Sequence, residues 1–257
     1  MFGFPQIEHK HYNKNFLKTV VFQVVFQENL DIISRKEEVF KMFIGSFPRS
    51  NENKSSGMQV TFNANEKTPI LEPIKDSSVL DLKSDDGQKI LNITSTSLTV
   101  TYNGAVYRNF DQLKTELSIL IGFFELFGIK VLRRISLRKI NLIDFKIVGN
   151  ASDTLKYVIN AELLSNLNYF PNSELIKQNV QNVRYESGRN SLNLRYGLNV
   201  PPSNNSELGQ VILDIDLISL EDTIVENVFS VASNVNKEIF NIFKWAISQN
   251  TIDLLNG

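Results

Sequence analysis

Arginines are the side chains best placed for chemistry in this chain. Arg133, Arg134, Arg138 and Lys139 fall within seven residues of a segment with strand character. Strict alternation puts Arg134, Ser136 and Arg138 on one face and Arg133, Ile135, Leu137 and Lys139 on the other. A later hairpin adds Arg184, Arg189 and Arg195, with Tyr185 and Tyr196 beside two of them. A guanidinium offers a planar fork of donors that matches phosphate or carboxylate, and next to tyrosine it can stack on a base. The pattern nominates Arg134, Arg138, Asn141, Arg184, Arg195 and Tyr196 as a surface for a protein partner or a phosphate. The same arginines can also pair with Asp144, Asp214, Asp216 or Glu186 and fix strand register. Both readings stay open.

The two histidines, His9 and His11, flank Lys10 and follow Glu8, and on an extended segment their imidazoles share a side. That geometry is a weak metal site, short of a third ligand; a solvated arm explains it as well. Because these are the only histidines, no histidine-dependent triad or general base can stand in the body of the fold. Asp81, Asp85 and Asp86 cluster at a turn, and Asp214 and Asp216 share a strand face. Paired acids can hold magnesium or divide acid and base roles. The lysine a nuclease would add is misplaced, since Glu72-Pro73-Ile74-Lys75 is one residue too long and contains proline. There is no glycine-rich phosphate loop and no G-x-S-x-G elbow. No cofactor is expected.

Composition narrows the classes further. The 257 residues carry 27 Lys+Arg against 28 Asp+Glu, a net charge of −1 that argues against wholesale binding to nucleic-acid backbone. The absence of cysteine removes thiol nucleophiles, disulfides and cysteine-ligated metals. No apolar run approaches the roughly 18 residues of a membrane span and no signal-peptide core is visible, so the expected compartment is the cytoplasm.

The elements that must position these residues are legible in the hydrophobic pattern. Phe16–Gln27 reads as a strand apolar on both faces. Asp31–Phe47 reads as a helix with a Ser34/Glu37 capping box, stopped by Pro48. Residues 49–56 read as a polar loop, and Gly57–Asn63 as a short strand before a connection holding Pro69 and Pro73. Val79–Lys83 and Lys89–Thr94 flank a turn at Asp85-Asp86-Gly87. Ser97–Tyr102 runs into Asn103-Gly104, a hairpin signal that makes Ala105–Tyr107 the expected return strand. A helix from Asn109 or Asp111 to Phe127 ends at Gly128. Ile129–Phe145 is a long strand, expected to bulge near Ser136. Leu155–Asn168 is partly helical. Asn179–Tyr185 and Ser191–Val200 form a hairpin around a five-residue loop, Gly209–Leu217 is a strand, and Thr223–Ser248 a closing helix. Phenylalanines concentrate on the helix stripes, a core pattern; adjacent Phe123 and Phe124 raise the prospect of a second surface. The class is α+β, mainly antiparallel sheets packed with long amphipathic helices. Two related halves, 1–147 and 148–257, are one organisation; a single continuous domain is the other.

Short motifs along the chain resemble a sporadically distributed prokaryotic family of about 250 residues with no assigned activity. They are Tyr12-x-Lys14-Asn15-Phe16-Leu17 before the first strand, Tyr107 and Phe110 before the second helix, Leu137-Arg138-Lys139-Ile140-Asn141, and Asn236–Leu254 with Phe240 and Phe243. Lys139 stands where the family usually has an aromatic, and Asn236 where a histidine is common. The resemblance implies a free-standing domain and, through the sporadic distribution, an accessory of a mobile-element or defence module. Three functions follow for testing. The first is a non-catalytic interaction or regulatory subunit with a protein partner or as a homo-oligomer. The second is a nucleic-acid or nucleotide-phosphate binder through the strand arginines. The third is an enzyme relying on carboxylates, lysine or tyrosine.

Overall fold

The structure is a computed structural model that describes residues 2–8, 12–55, 58–61, 70–73, 77–146, 155–163, 170–172, 176–199 and 208–256. Strands that bury one face pair into one antiparallel sheet, because each needs neighbours to extend that face; the alternation is clearest in β1, β7 and β11. These are β1 (Leu17–Phe26), β5 (Ser77–Lys83), β6 (Lys89–Ile93), β7 (Ser97–Asn103), β8 (Val131–Lys146), β9 (Gln178–Ser187), β10 (Asn190–Asn199) and β11 (Leu208–Ser219). With β2 (Arg49–Ser55) at one edge, the order is β2-β5-β6-β7-β1-β8-β11-β10-β9. A short β12 (Thr223–Ile224) pairs beside β8, and β3 (Met58–Thr61) and β4 (Ile70–Pro73) form a separate two-stranded ribbon.

All the packed helices lie on one side of the sheet. Val20, Phe22, Val24 and Phe26 of β1 are buried there beside Leu98, Val100 and Tyr102 of β7 and Leu213, Ile215 and Leu217 of β11. α1 (Asp31–Ser34) and α2 (Lys36–Phe43) cover the β5 end, and α3 (Phe110–Glu116) and α4 (Ile119–Leu126) the middle. α5 (Val228–Ala246) lies along β8 and β11, followed by α6 (Gln249–Asn256). Rings of Phe26, Phe43, Phe123, Phe124 and Phe127 interlock at 5.0–6.4 Å. Phe123 and Phe124 are both fully buried, so neither supplies a second surface.

Several expectations need correction. Long helices are the exception: α5, at 19 residues, is the one extended helix among the described residues. The first expected helix is broken at Arg35, and its capping box does not form, because Ser34 Oγ donates to the Asp31 carbonyl instead (3.0 Å). The second is broken at Leu117–Ser118, and the closing helix at Ile247. Residues 49–55 are a strand, not a loop, paired with β5, and Ile70–Pro73 is a strand of the ribbon rather than a connection. Asn103-Gly104 does not make a hairpin. β7 already has β6 and β1 on its two edges, leaving no edge for a return strand. Gly104 packs so tightly on Leu17 that a Cβ would lie 1.7 Å from its carbonyl oxygen.

In β8 the pairing with β1 slips at Arg133, between Val25↔Arg134 and Phe26↔Leu132, and not at Ser136. The β9–β10 loop is tighter than expected, a two-residue Gly188-Arg189 turn with Gly188 at φ +59°. Residues 155–163 are helical only in part, with a 3-10 turn at 161–163 and a bridge from Ile159 to Ile247, and 164–168 lie outside the described residues. The expected boundary at 147/148 lies outside the described residues, but β8 before it pairs along its length with β11 after it. Among the described residues, no helix is long and apolar enough to cross a membrane.

Candidate functional site

Pairing register divides the nominated residues between the two faces of the sheet. Arg138 stands opposite Asp216, Asp214 opposite Arg195, Arg195 opposite Asn182, and Asn193 opposite Arg184. Arg134, Arg138, Arg184 and Arg195 therefore share the face away from the helices, as alternation predicts for Arg134 and Arg138. Asn141 and Tyr196 point the other way: Asn141 Nδ2 donates to the Leu213 carbonyl (3.2 Å) and Tyr196 donates to Gln181 Oε1 (3.1 Å). The structure thus brings the four arginines together and separates them from Asn141 and Tyr196. His9 and His11 lie outside the described residues.

On the open face, Arg138 grips the buried Asp214 with two hydrogen bonds, Nε to Oδ1 at 2.8 Å and Nη2 to Oδ2 at 2.6 Å. This pair holds the Arg138 guanidinium pKa above its ordinary value. Asp216 takes a hydrogen bond from Asn193 (3.2 Å), yet burial pushes its pKa up. Arg184 reaches Glu186 at 2.7 Å, with both exposed. Arg195 is exposed and, among the described residues, has no carboxylate partner, and the buried Nε of Arg134 has no acceptor among them either. Arg138, Arg184 and Arg195 surround a depression of about 260 Å³ floored by Asp214 and Asp216. Around this charged centre lie partly exposed aliphatics, Val21, Val25, Ile140, Ile212 and Ile218. Every described aromatic of the main sheet faces the helices, so this surface offers bases nothing to stack on.

Of the acids in the Asp85-Asp86-Gly87 turn, Asp86 is structural, while Asp85 is exposed 3.7 Å from Arg49. Asp86 Oδ1 accepts from Ser84 Oγ (2.6 Å) and from the Gln88 amide (3.0 Å), and the Ser84 bond holds its carboxyl below the usual range. Among the described residues, no three acidic or histidine side chains gather in a metal-binding group.

The other face holds a site not nominated from sequence: a cavity of about 340 Å³ between β8, α5, the Tyr107–Asp111 segment and the N-terminal approach to β1. β8 alternation delivers Lys139 and Asn141 into it, and α5 delivers Asn236, Phe240 and Phe243. The Tyr12–Leu17 segment is tied down by hydrogen bonds to α6, from Asn13 Nδ2 to the Asn256 carbonyl (2.7 Å) and from the Lys14 amide to the Leu255 carbonyl (3.1 Å). Lys139 Nζ donates to Asn236 Oδ1 at 2.7 Å and lies 5.4 Å from the Tyr107 ring centroid. Burial without a carboxylate partner draws its amine down to about 8. The buried hydroxyls of Tyr12 and Tyr107 have no hydrogen-bond partner among the described residues. Burial, then the charge of Asp111, push the Tyr107 phenol pKa upward.

The cavity gathers residues 12–17, 107–111, Lys139 and Asn141 of β8, and α5, and Lys139 and Asn236 are bonded to each other across it. Alternation places Lys139 off the arginine face but cannot pair it with Asn236, 97 residues away. No protein-family model matches the chain, and no curated protein matches it in sequence.

Proposed function

We propose that the chain is a non-catalytic interaction subunit that docks a protein partner on the open face of its sheet. The observation that carries this reading is the composition of that face: acid-paired arginines ringed by aliphatic side chains, with no helix packed on it among the described residues. Strands spaced about 4.8 Å apart make the face roughly 40 Å wide, ample for an interface of about 800 Å² per partner. Arg195 and the half-exposed edge of Arg138 call for carboxylates from the other side, so the partner presents acidic side chains. A phosphate-backbone ligand is the weaker fit, since Asp214 and Glu186 already engage two of the arginines and no aromatic platform accompanies them. An accessory role in a mobile-element or defence module is the setting that the resemblance implies.

The test is affinity capture from the native host after nuclease treatment, comparing the wild type with Arg184→Glu/Arg195→Glu and with Lys237→Glu on the exposed side of α5. The expected result is a stoichiometric acidic protein retained by the wild type and Lys237→Glu and lost by the double reversal. Capture that disappears with nuclease, or is indifferent to the double reversal, overturns the reading.

A further inference from the structure

We propose that the cavity bounded by Lys139, Tyr107 and Tyr12 binds a small organic carboxylate with an apolar body. The first argument is an imbalance of hydrogen-bonding groups. The Tyr12 and Tyr107 hydroxyls are buried donors without acceptors, and the Lys139 ammonium has three N–H bonds but one acceptor, Asn236 Oδ1, among the described residues. Buried donors in this condition are costly, and a ligand that supplies acceptors removes the cost.

The second argument is charge. Lys14, Arg108 and Lys139 line the cavity against one carboxylate, Asp111, which is exposed at the mouth. Lys244 lies just outside, over the Tyr12 ring at 5.3 Å. A single ammonium at depth matches one negative charge. A dianionic phosphate would bring a second charge with no buried counter-ion.

The third argument is the wall. Phe16, Ile239, Phe240 and Phe243 surround the polar end with hydrocarbon, and Phe240 stacks on Tyr12 with centroids 6.3 Å apart. A volume near 340 Å³ suits a ligand with an aromatic ring or a branched chain of a few carbons beyond the carboxylate. The site is separated from the arginine face by the sheet, so this inference and the docking of a protein partner stand or fall separately.

The experiment is calorimetric titration at pH 7 with 3-phenylpropionate and 4-methylpentanoate. Inorganic phosphate and the neutral 3-phenylpropionamide serve as comparison ligands. The carboxylates bind, the amide binds at least about tenfold more weakly, and phosphate binds more weakly still. Lys139→Met weakens carboxylate binding at least about thirtyfold, and Tyr107→Phe, which keeps the ring and removes one donor, about five- to tenfold. Asn236→Asp, which places a fixed carboxylate against Lys139, abolishes binding while leaving the circular dichroism spectrum native. The proposal is overturned if no carboxylate binds at 10 mM, if the amide binds equally well, if phosphate is preferred, or if Lys139→Met binds as the wild type does.

Discussion

An ammonium set in a cavity with no carboxylate partner is unstable as a charge, and Lys139, partly buried beside Asn236, meets that description. Its amine faces Asn236 from α5, the rings and hydroxyls of Tyr107 and Tyr12, and, towards the mouth, Lys14, Arg108 and Asp111. Burial brings its pKa from 10.5 to about 8, so between those values the unfolded chain holds a proton that the folded chain has released. Stability therefore rises with pH across roughly 8 to 10.5, and below that window the folded state carries the full cost of the buried charge. Urea midpoints measured at pH 7.5, 9 and 10 test this: the rise present in the wild type is absent in Lys139→Met. Tyr107 makes a complementary prediction. Its hydroxyl is buried and has no partner among the described residues, so Tyr107→Phe stabilises the protein by about 1 kcal/mol, read as a higher urea midpoint at unchanged slope. A hydroxyl with a purely structural role would give a loss instead.

At the scale of elements, one carboxylate ties α3 to the sheet alongside its buried Phe110 and Leu113. Glu116 accepts from Lys89 Nζ on β6 at 2.9 Å, from the Tyr102 hydroxyl on β7 at 3.0 Å, and from Gln112 on its own helix at 2.8 Å. Burial alone would raise its pKa; these hydrogen bonds outweigh burial and leave it lowered. Its stabilisation is thus present above its ordinary value of 4.5 and is lost as the pH falls through the lowered folded value. Glu116→Ala costs about 2–3 kcal/mol at pH 7, because Lys89 and Tyr102 lose their acceptor, and the gap from wild type closes on acidification. This cluster was invisible in the sequence because it joins residues from three elements. The alternation of β1, β7 and β11 was visible because each strand records its own burial. The polar edge strand RSNENKS was not, since pairing along one edge requires only backbone. The break at Leu117–Ser118 was hidden too: Leu113, Leu117 and Leu120 keep a continuous apolar stripe through it. The shared face of Arg134 and Arg138 followed from period two within one strand, whereas Arg184 and Arg195 join it only through cross-strand register, and the cavity depends on Tyr12, Tyr107, Lys139 and Asn236 arriving from four separate places.

For the whole molecule, the position of β8 decides whether the chain behaves as one unit or two. This 16-residue strand is central, pairing with β1 over most of its length on one edge and with β11 on the other. α5, from the end of the chain, packs on β8 and β11 and closes the cavity against segments from residues 12–17 and 107–111. Any division near residue 147 must strip β11 from β8 and expose Leu137, Leu213, Ile215 and Leu217, which are fully buried. Exposing these four aliphatic side chains costs on the order of 1.5–3 kcal/mol each, together comparable to the whole of a typical net stability of about 5–15 kcal/mol, which leaves a half-separated intermediate no margin. The two segments therefore unfold together. Trp245, the single tryptophan, reports on the later segment. Phe40→Trp in a Trp245→Phe background reports on the earlier one from a half-buried position on α2. Coincident urea midpoints for the two fluorophores and for far-ultraviolet circular dichroism are the expected outcome. Midpoints that separate would instead define two folding units joined through the β8–β11 seam, and the cavity, which draws residues from both, would then be lost at the first transition.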